Sequence, residues 1–341
     1  MTMRPTTPRA GAPLTILAVA ALVFGGCAGH RDDRKEIPIV ADVPDAGPPA
    51  KATANSSEPG KESLFTIDGK AGRLQISDGG REGTPVVFLH GLACDIDCWR
   101  AQLDHLRPGR RAVAYDQRGH GASARAPEGG YSIEALTDDL EAVLEGLGIG
   151  RAFLVGHSMS GEVLTTYAAR HPDRVAGLVY ADALGDFHAL PKAEVDAELA
   201  KEDAPGFDAR KMFASMISDE AKPSTRDRVL RAFDTFDPKA FAPLRKSMAA
   251  FSAVPLLAKY NGPRLAIEVE GQNNSFVLSG VLPGVPKTTL PHVSHWLMMD
   301  DPDGFNRALD PFIGYVHAAH TDDPVPGGGA QTIRFAKGPS W

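Results

Sequence analysis

The stretch Gly156-His157-Ser158-Met159-Ser160-Gly161 follows an apolar run, Ala152-Phe153-Leu154-Val155, and precedes a helix-forming run from Glu162 to Arg170. A strand that turns sharply into a helix with a serine at the apex leaves the chain few folds. The strand has to be buried in a sheet, the helix has to pack back on it, and the hydroxyl is displayed at the sheet end. Small residues are needed two positions either side of the serine, because the tight turn brings those backbones together. Gly156 supplies one, and Ser160 stands where a second glycine is usual. The plain alternative is an ordinary helix with Ser158 as its cap, so the choice rests on the rest of the chain.

Three other segments agree with the first reading. Pro85-Val86-Val87-Phe88-Leu89-His90-Gly91 is a buried-strand pattern ending in His-Gly, and its loop, Leu92 to Trp99, leads into a helix. Ala112-Val113-Ala114-Tyr115 is a short apolar strand that ends in Asp116-Gln117-Arg118-Gly119-His120-Gly121-Ala122-Ser123. Ser294-His295-Trp296 opens a segment running to Asp301-Pro302-Asp303-Gly304-Phe305. On these residues the chain resembles the α/β-hydrolase family, most closely its esterase, lactonase and cofactor-free haloperoxidase (perhydrolase) branch. The resemblance runs from about residue 62 to 318. It implies an α/β fold with a mostly parallel central sheet, helices on both faces and a helical cap insertion.

The local pattern is consistent with that architecture. Strands are expected at Leu64–Ile67, Arg73–Ile76, Val86–Leu89, Ala112–Tyr115, Phe153–Val155, Val175–Tyr180, Leu265–Val269 and Lys287–Leu290. Helices are expected at Trp99–Leu106, Ser132–Leu147, Met159–Arg170 and Pro302–His317. Strands alternating with helices make a parallel sheet covered on both sides. Residues 184–260 break the rhythm, with charged helix-prone runs at Ala193–Lys201, Ala209–Ile217, Arg226–Phe233 and Pro243–Phe251. They are read as the cap, between core segments 61–183 and 261–318.

A serine attacks well only with a base in hydrogen-bond reach and an acceptor that orients the base. His295 is the expected base, with His292 as the fallback. The family's usual acid would lie in Gly271-Gln272-Asn273-Asn274, and Asn274 stands where aspartate is expected. An amide orients an imidazole without a full negative charge to stabilise imidazolium. Asp182, just past the strand Val175–Tyr180, offers a carboxylate from an adjacent strand end, the position some relatives such as haloalkane dehalogenases use. Asp182 is therefore the expected acid, with Glu270 and Asn274 as alternatives. The resemblance places the oxyanion hole at the N–H groups of Leu92 and Met159. His90 is expected to hold its loop, and Asp116, Arg118 and Gly121 to shape a turn. No metal or organic cofactor is implied.

The chain carries a formal net charge of −7 and no basic patch with interleaved aromatics, which argues against nucleic acid as a partner. Arg4 and Arg9 precede an uncharged apolar run, Leu14 to Phe24, that ends at Phe24-Gly25-Gly26-Cys27. That is the pattern of a lipoprotein-type signal, residues 1–27, with lipid attached at Cys27; plain secretion and an uncleaved anchor are the alternatives. Residues 28–60 read as a disordered tether and 319–341 as a loose tail. The implied location is the bacterial cell envelope, periplasmic or outer-surface, with the membrane reached through the lipid anchor. Cys94 and Cys98 are either a disulfide pair or two small buried thiols. The expected function is a serine hydrolase cleaving a small carboxylic ester or lactone through an acyl-enzyme. The alternatives are a C–C bond hydrolase or perhydrolase with the same residues, and a non-catalytic ligand-binding envelope protein.

Overall fold

The computed structural model describes residues 61–320 apart from 128, 272–276 and 283. Cys27, the N-terminal signal and tether, Asn274 and the tail beyond residue 320 lie outside the described residues. The chain enters through an antiparallel pair, Glu62–Gly69 (β1) and Gly72–Gly79 (β2). Residues of β1 alternate between exposed and half-buried, the period-two pattern of an edge strand. Val86–Leu89 (β3), Ala112–Tyr115 (β4), Ala152–His157 (β5) and Val175–Ala181 (β6) are buried at every position. Their continuous apolar runs suit strands covered on both faces, where each enclosed Val, Leu or Phe stabilises by roughly 1.5–3 kcal/mol. Arg264–Val269 (β7) and Lys287–Leu290 (β8) complete a sheet of order β1-β2-β4-β3-β5-β6-β7-β8. From β4 onward in that order all pairs are parallel.

Helices Arg100–Leu106 (α1), Ile133–Gly146 (α2) and Ser160–Arg170 (α3) follow β3, β4 and β5. Between β6 and β7 the chain runs through Lys192–Glu202 (α4), Ala209–Met216 (α5), Pro223–Thr235 (α6), Pro238–Ala250 (α7) and Val254–Leu257 (α8). Leu278–Val281 (α9), Leu297–Asp300 (α10) and Pro302–His320 (α11) follow. Helix α2 packs on α3, and α1 on α11. This is the mostly parallel, helix-covered sheet expected from the alternation of elements, and the α/β-hydrolase fold that the resemblance implied.

Two boundaries differ from expectation in ways that matter. β5 continues past Val155 through Gly156 and His157, because both remain paired with β6, His157 opposite Ala181. Regular pairing therefore holds to the residue before Ser158. Helix α7 starts at Pro238, five residues before Pro243. Asp237 caps it by accepting the Lys239 N–H at 3.0 Å, and Pro238 sits in the first turn, where its missing N–H costs nothing. Pro243 lies inside the helix instead of opening it.

Candidate active site

Parallel strands bring the loops at their carboxyl ends to one edge of the sheet, where open α/β folds bind ligands. Ser158, Asp182 and His295 stand just beyond β5, β6 and β8, and Leu92 just beyond β3. Ser158 has φ +53, a left-handed conformation rarely adopted by a residue with a side chain, set by the turn from β5 into α3. Its N–H donates to the Ala181 carbonyl at 3.1 Å, which ties the apex of the turn to the residue before Asp182.

Asp182 also has positive φ, +41. Its N–H donates to the Ile267 carbonyl of β7 at 2.8 Å, and its Oδ1 accepts the Val269 N–H at 3.3 Å. Oδ2 lies 2.6 Å from Nδ1 of His295. Both side chains are almost wholly buried, at 4% exposure for His295 and 1% for Asp182. Such a short contact away from water fixes the ring and leaves Nε2 as its other functional nitrogen. The loop carrying His295 is anchored by Asp300, whose Oδ2 accepts both the N–H and the hydroxyl of Ser294 at 2.8 and 2.5 Å. Oδ1 of the same carboxylate accepts the Lys222 N–H of the insertion at 2.9 Å.

His157 joins the serine turn to the histidine loop. Its Nε2–H donates to the main-chain carbonyl of His295 at 2.8 Å, and the two rings lie 4.5 Å apart. Burial, reinforced by His295 alongside, pushes the His157 imidazole well below its ordinary pKa, so it stays neutral. On its other side, a Cβ on Gly91 would stand 2.7 Å from His157 Nδ1 and 3.0 Å from Ser158 Cβ. Only glycine lets the loop after β3 approach this closely. Among the described residues, the N–H groups of Leu92 and Met159 are donated to no protein acceptor.

The other expected residues are placed as follows. Glu270 follows β7 and gives its N–H to Leu290; the carboxylate on His295 Nδ1 is that of Asp182. His292 is on the surface, 3.8 Å from Glu220. His90 gives Nδ1–H to the Gly91 carbonyl at 2.8 Å and accepts the Gln117 N–H at Nε2, 3.0 Å away. Burial lowers its pKa to about 4. Asp116 accepts the N–H groups of Ile96 and Ala122, both at 2.8 Å, and Arg118 forks onto buried Asp139 at 2.6 and 2.7 Å. These are turn-building contacts. Cys94 and Cys98 are joined in a disulfide, with Cα atoms 6.4 Å apart. Among the described residues no group of three or more His, Cys, Asp or Glu side chains is placed to hold a metal ion.

Sequence reasoning passed over His157 and the hydroxyl of Ser160. The signal for the first was an imidazole on an otherwise apolar buried strand. The signal for the second was a hydroxyl in the place of a glycine.

This fold is matched by known proteins. A family model of the alpha/beta hydrolase fold covers residues 84–216. The chain is similar to "Putative carbamate hydrolase RutD" of Variovorax paradoxus (strain S110), 31% identical over 256 residues that span 70% of this chain and 95% of the relative. Among solved structures it is similar to a thermophilic esterase from Thermogutta terrifontis (malate bound), with TM-score 0.62 and 25% identity over 75% of this chain and 99% of that one. It is similar also to the bromoperoxidase from Bacillus anthracis, with TM-score 0.59 and 26% identity over 74% and 100%. The chain belongs to the α/β-hydrolase family of enzymes.

Proposed function

We propose that this protein is a serine hydrolase that cleaves a small carboxylic ester or lactone through an acyl-enzyme. The observation that carries the reading is the 2.6 Å contact between buried Asp182 and His295, together with Ser158 in a left-handed turn tied to the residue before Asp182. In this reading Ser158 attacks the carbonyl carbon while Nε2 of His295 takes the hydroxyl proton. Asp182 stabilises the resulting imidazolium. The N–H groups of Leu92 and Met159 hold the oxyanion as the C=O bond opens. Collapse of the intermediate expels the alcohol, which takes the proton from His295. Water then repeats the cycle on the acyl-enzyme and releases the acid. The names of the similar proteins, an esterase and a carbamate hydrolase among them, support attack on a carboxyl-level carbon. A serine at the apex also argues against epoxide opening, which uses an aspartate nucleophile there.

Similarity to a bromoperoxidase favours one second reading, perhydrolysis with the same residues, in which peroxide replaces water in the deacylation step. A panel of p-nitrophenyl esters of increasing acyl length, with and without peroxide, separates the two. Ser158→Ala is expected to lower ester turnover by roughly 10⁴ or more with the fold intact. Turnover retained in that variant, or wild-type protein that fails to label at Ser158 with a fluorophosphonate, overturns the reading. We further propose attachment to the bacterial envelope through a lipid on Cys27, supported by the sequence around that residue. Among the described residues no helix is long and apolar enough to cross a membrane. Cys27→Ala is expected to release the protein from the membrane fraction, and unchanged retention refutes the anchor.

A further inference from the structure

The oxyanion donors come from two separate segments, Leu92 after β3 and Met159 after β5. Their spacing depends on how the two segments are fastened together. Ser160, fully buried, points its hydroxyl across this junction. Its Oγ donates to the main-chain carbonyl of His90 at 2.5 Å. The Gln117 side chain completes a triangle, with Nε2 donating to the His90 carbonyl at 2.7 Å and to Ser160 Oγ at 3.1 Å. The Gln117 main chain then holds the His90 ring, and that ring holds the Gly91 carbonyl. The same Gly91 carbonyl accepts the Cys94 N–H at 3.2 Å, on the far side of Leu92. Every link from the serine turn to Leu92 thus passes through groups shielded from water, where hydrogen bonds are least easily replaced.

A glycine at 160 satisfies the turn but carries no such bond. We propose that Ser160 is a positioning residue: its hydroxyl, bridged by Gln117, sets the separation of the Leu92 and Met159 N–H groups and so the fit of the oxyanion hole to the tetrahedral intermediate. The inference rests on the reading of the site as a serine hydrolase. A loosened donor pair weakens the transition state more than the bound ester, because the oxyanion charge exists only in the former. Ångström-scale misplacement of such groups costs up to about 10²-fold in rate.

The test compares Ser160→Ala, Ser160→Cys and Ser160→Thr in p-nitrophenyl acetate hydrolysis, with active sites counted by fluorophosphonate labelling. Ser160→Ala is expected to lower kcat per labelled site by about 10- to 100-fold with KM within about twofold. Affinity for a trifluoromethyl ketone, which binds as an oxyanion adduct, should fall by the same factor. Ser160→Cys keeps the bulk but donates poorly, so it should lose as much and stands in if the alanine variant does not fold. Ser160→Thr restores the hydroxyl and should recover most of the rate. A purely structural role would lower the number of labelled sites without changing kcat per site, and that result in the alanine or cysteine variant overturns the proposal. Wild-type protein that neither labels nor turns over ester removes the hydrolase reading and this inference with it. Active wild type with matching variants removes this inference alone.

Discussion

At the scale of single residues, the proposed chemistry depends on where one negative charge sits. Asp182 reaches His295 because β6 lies beside β7, so a carboxylate beyond either strand end could approach the same ring. Asp182→Asn preserves shape and removes the charge. It is expected to cut kcat by roughly 10⁴, the cost of the equivalent change in a Ser-His-Asp protease. Glu270→Gln should stay within about threefold in the same ester assay; the reverse ranking rejects the assignment. The approach of Asp182 to His295 was open to sequence reasoning because strand order follows from the fold, and the fold from the serine turn. The bonds of His157 and Ser160 were not. Their partners, residues 295 and 90, are remote along the chain, and nothing local to a buried polar side chain says which carbonyl it will meet.

At the scale of elements, the insertion between β6 and β7 is fastened to the sheet by a few polar contacts, and helix α7 carries one of the most enclosed. Asp237 does three things there. Oδ1 caps α7, Oδ2 accepts the Tyr131 hydroxyl at 2.6 Å, and its N–H donates to the Gly119 carbonyl at 2.7 Å. Burial and this carboxylate push Tyr131 up to about 12, so it remains a donor across the working range. Asp237→Ala loses the cap and leaves a tyrosine hydroxyl without its acceptor, at an expected cost of about 1–3 kcal/mol. Asp208 caps α5 in an exposed position, and Asp208→Ala should cost no more than about 1 kcal/mol. Urea unfolding of both variants checks the difference, and equal losses would mean that the Tyr131 contact adds nothing. The strands were legible as short apolar runs. Four of the five helices of the insertion were legible, though not in their ends, because Pro243 reads as a helix start while Asp237-Pro238 gives a better capped one; the single turn of α8 was not.

At the scale of the whole molecule, buried ionisable groups set how stability varies with pH. His90, His120 and His157 are almost fully enclosed, and burial lowers the first two to about 4 and about 3 and the third well below its ordinary value. Their folded pKa values lie below the unfolded value, so unfolding takes up protons once pH drops below about 6.5, and stability falls with it. Two acids act in the opposite sense. Burial raises Asp116 to about 7, and raises Glu162 well above the ordinary carboxylate range. Both stay protonated in the fold while their unfolded counterparts ionise, so stability drops as pH rises past their unfolded values. The contribution of Asp116 to the slope fades as pH passes about 7. Between pH 5 and 6 the three histidines and the two acids therefore pull the slope in opposite directions. As pH rises past about 6.5 the histidine contribution fades, and the raised carboxyls turn the slope downward. Glu162 is the clean test, because neither carboxyl oxygen has a hydrogen-bond partner among the described residues and nearby Arg245 is already held by Glu202 at 2.9 Å. Glu162→Gln keeps the shape and cannot ionise. It should raise Tm more at pH 7 than at pH 4, because the unfolded carboxyl is largely protonated at the lower pH and burial raises the folded one. Equal gains at the two pH values in scanning calorimetry would show that Glu162 is not held neutral by the fold.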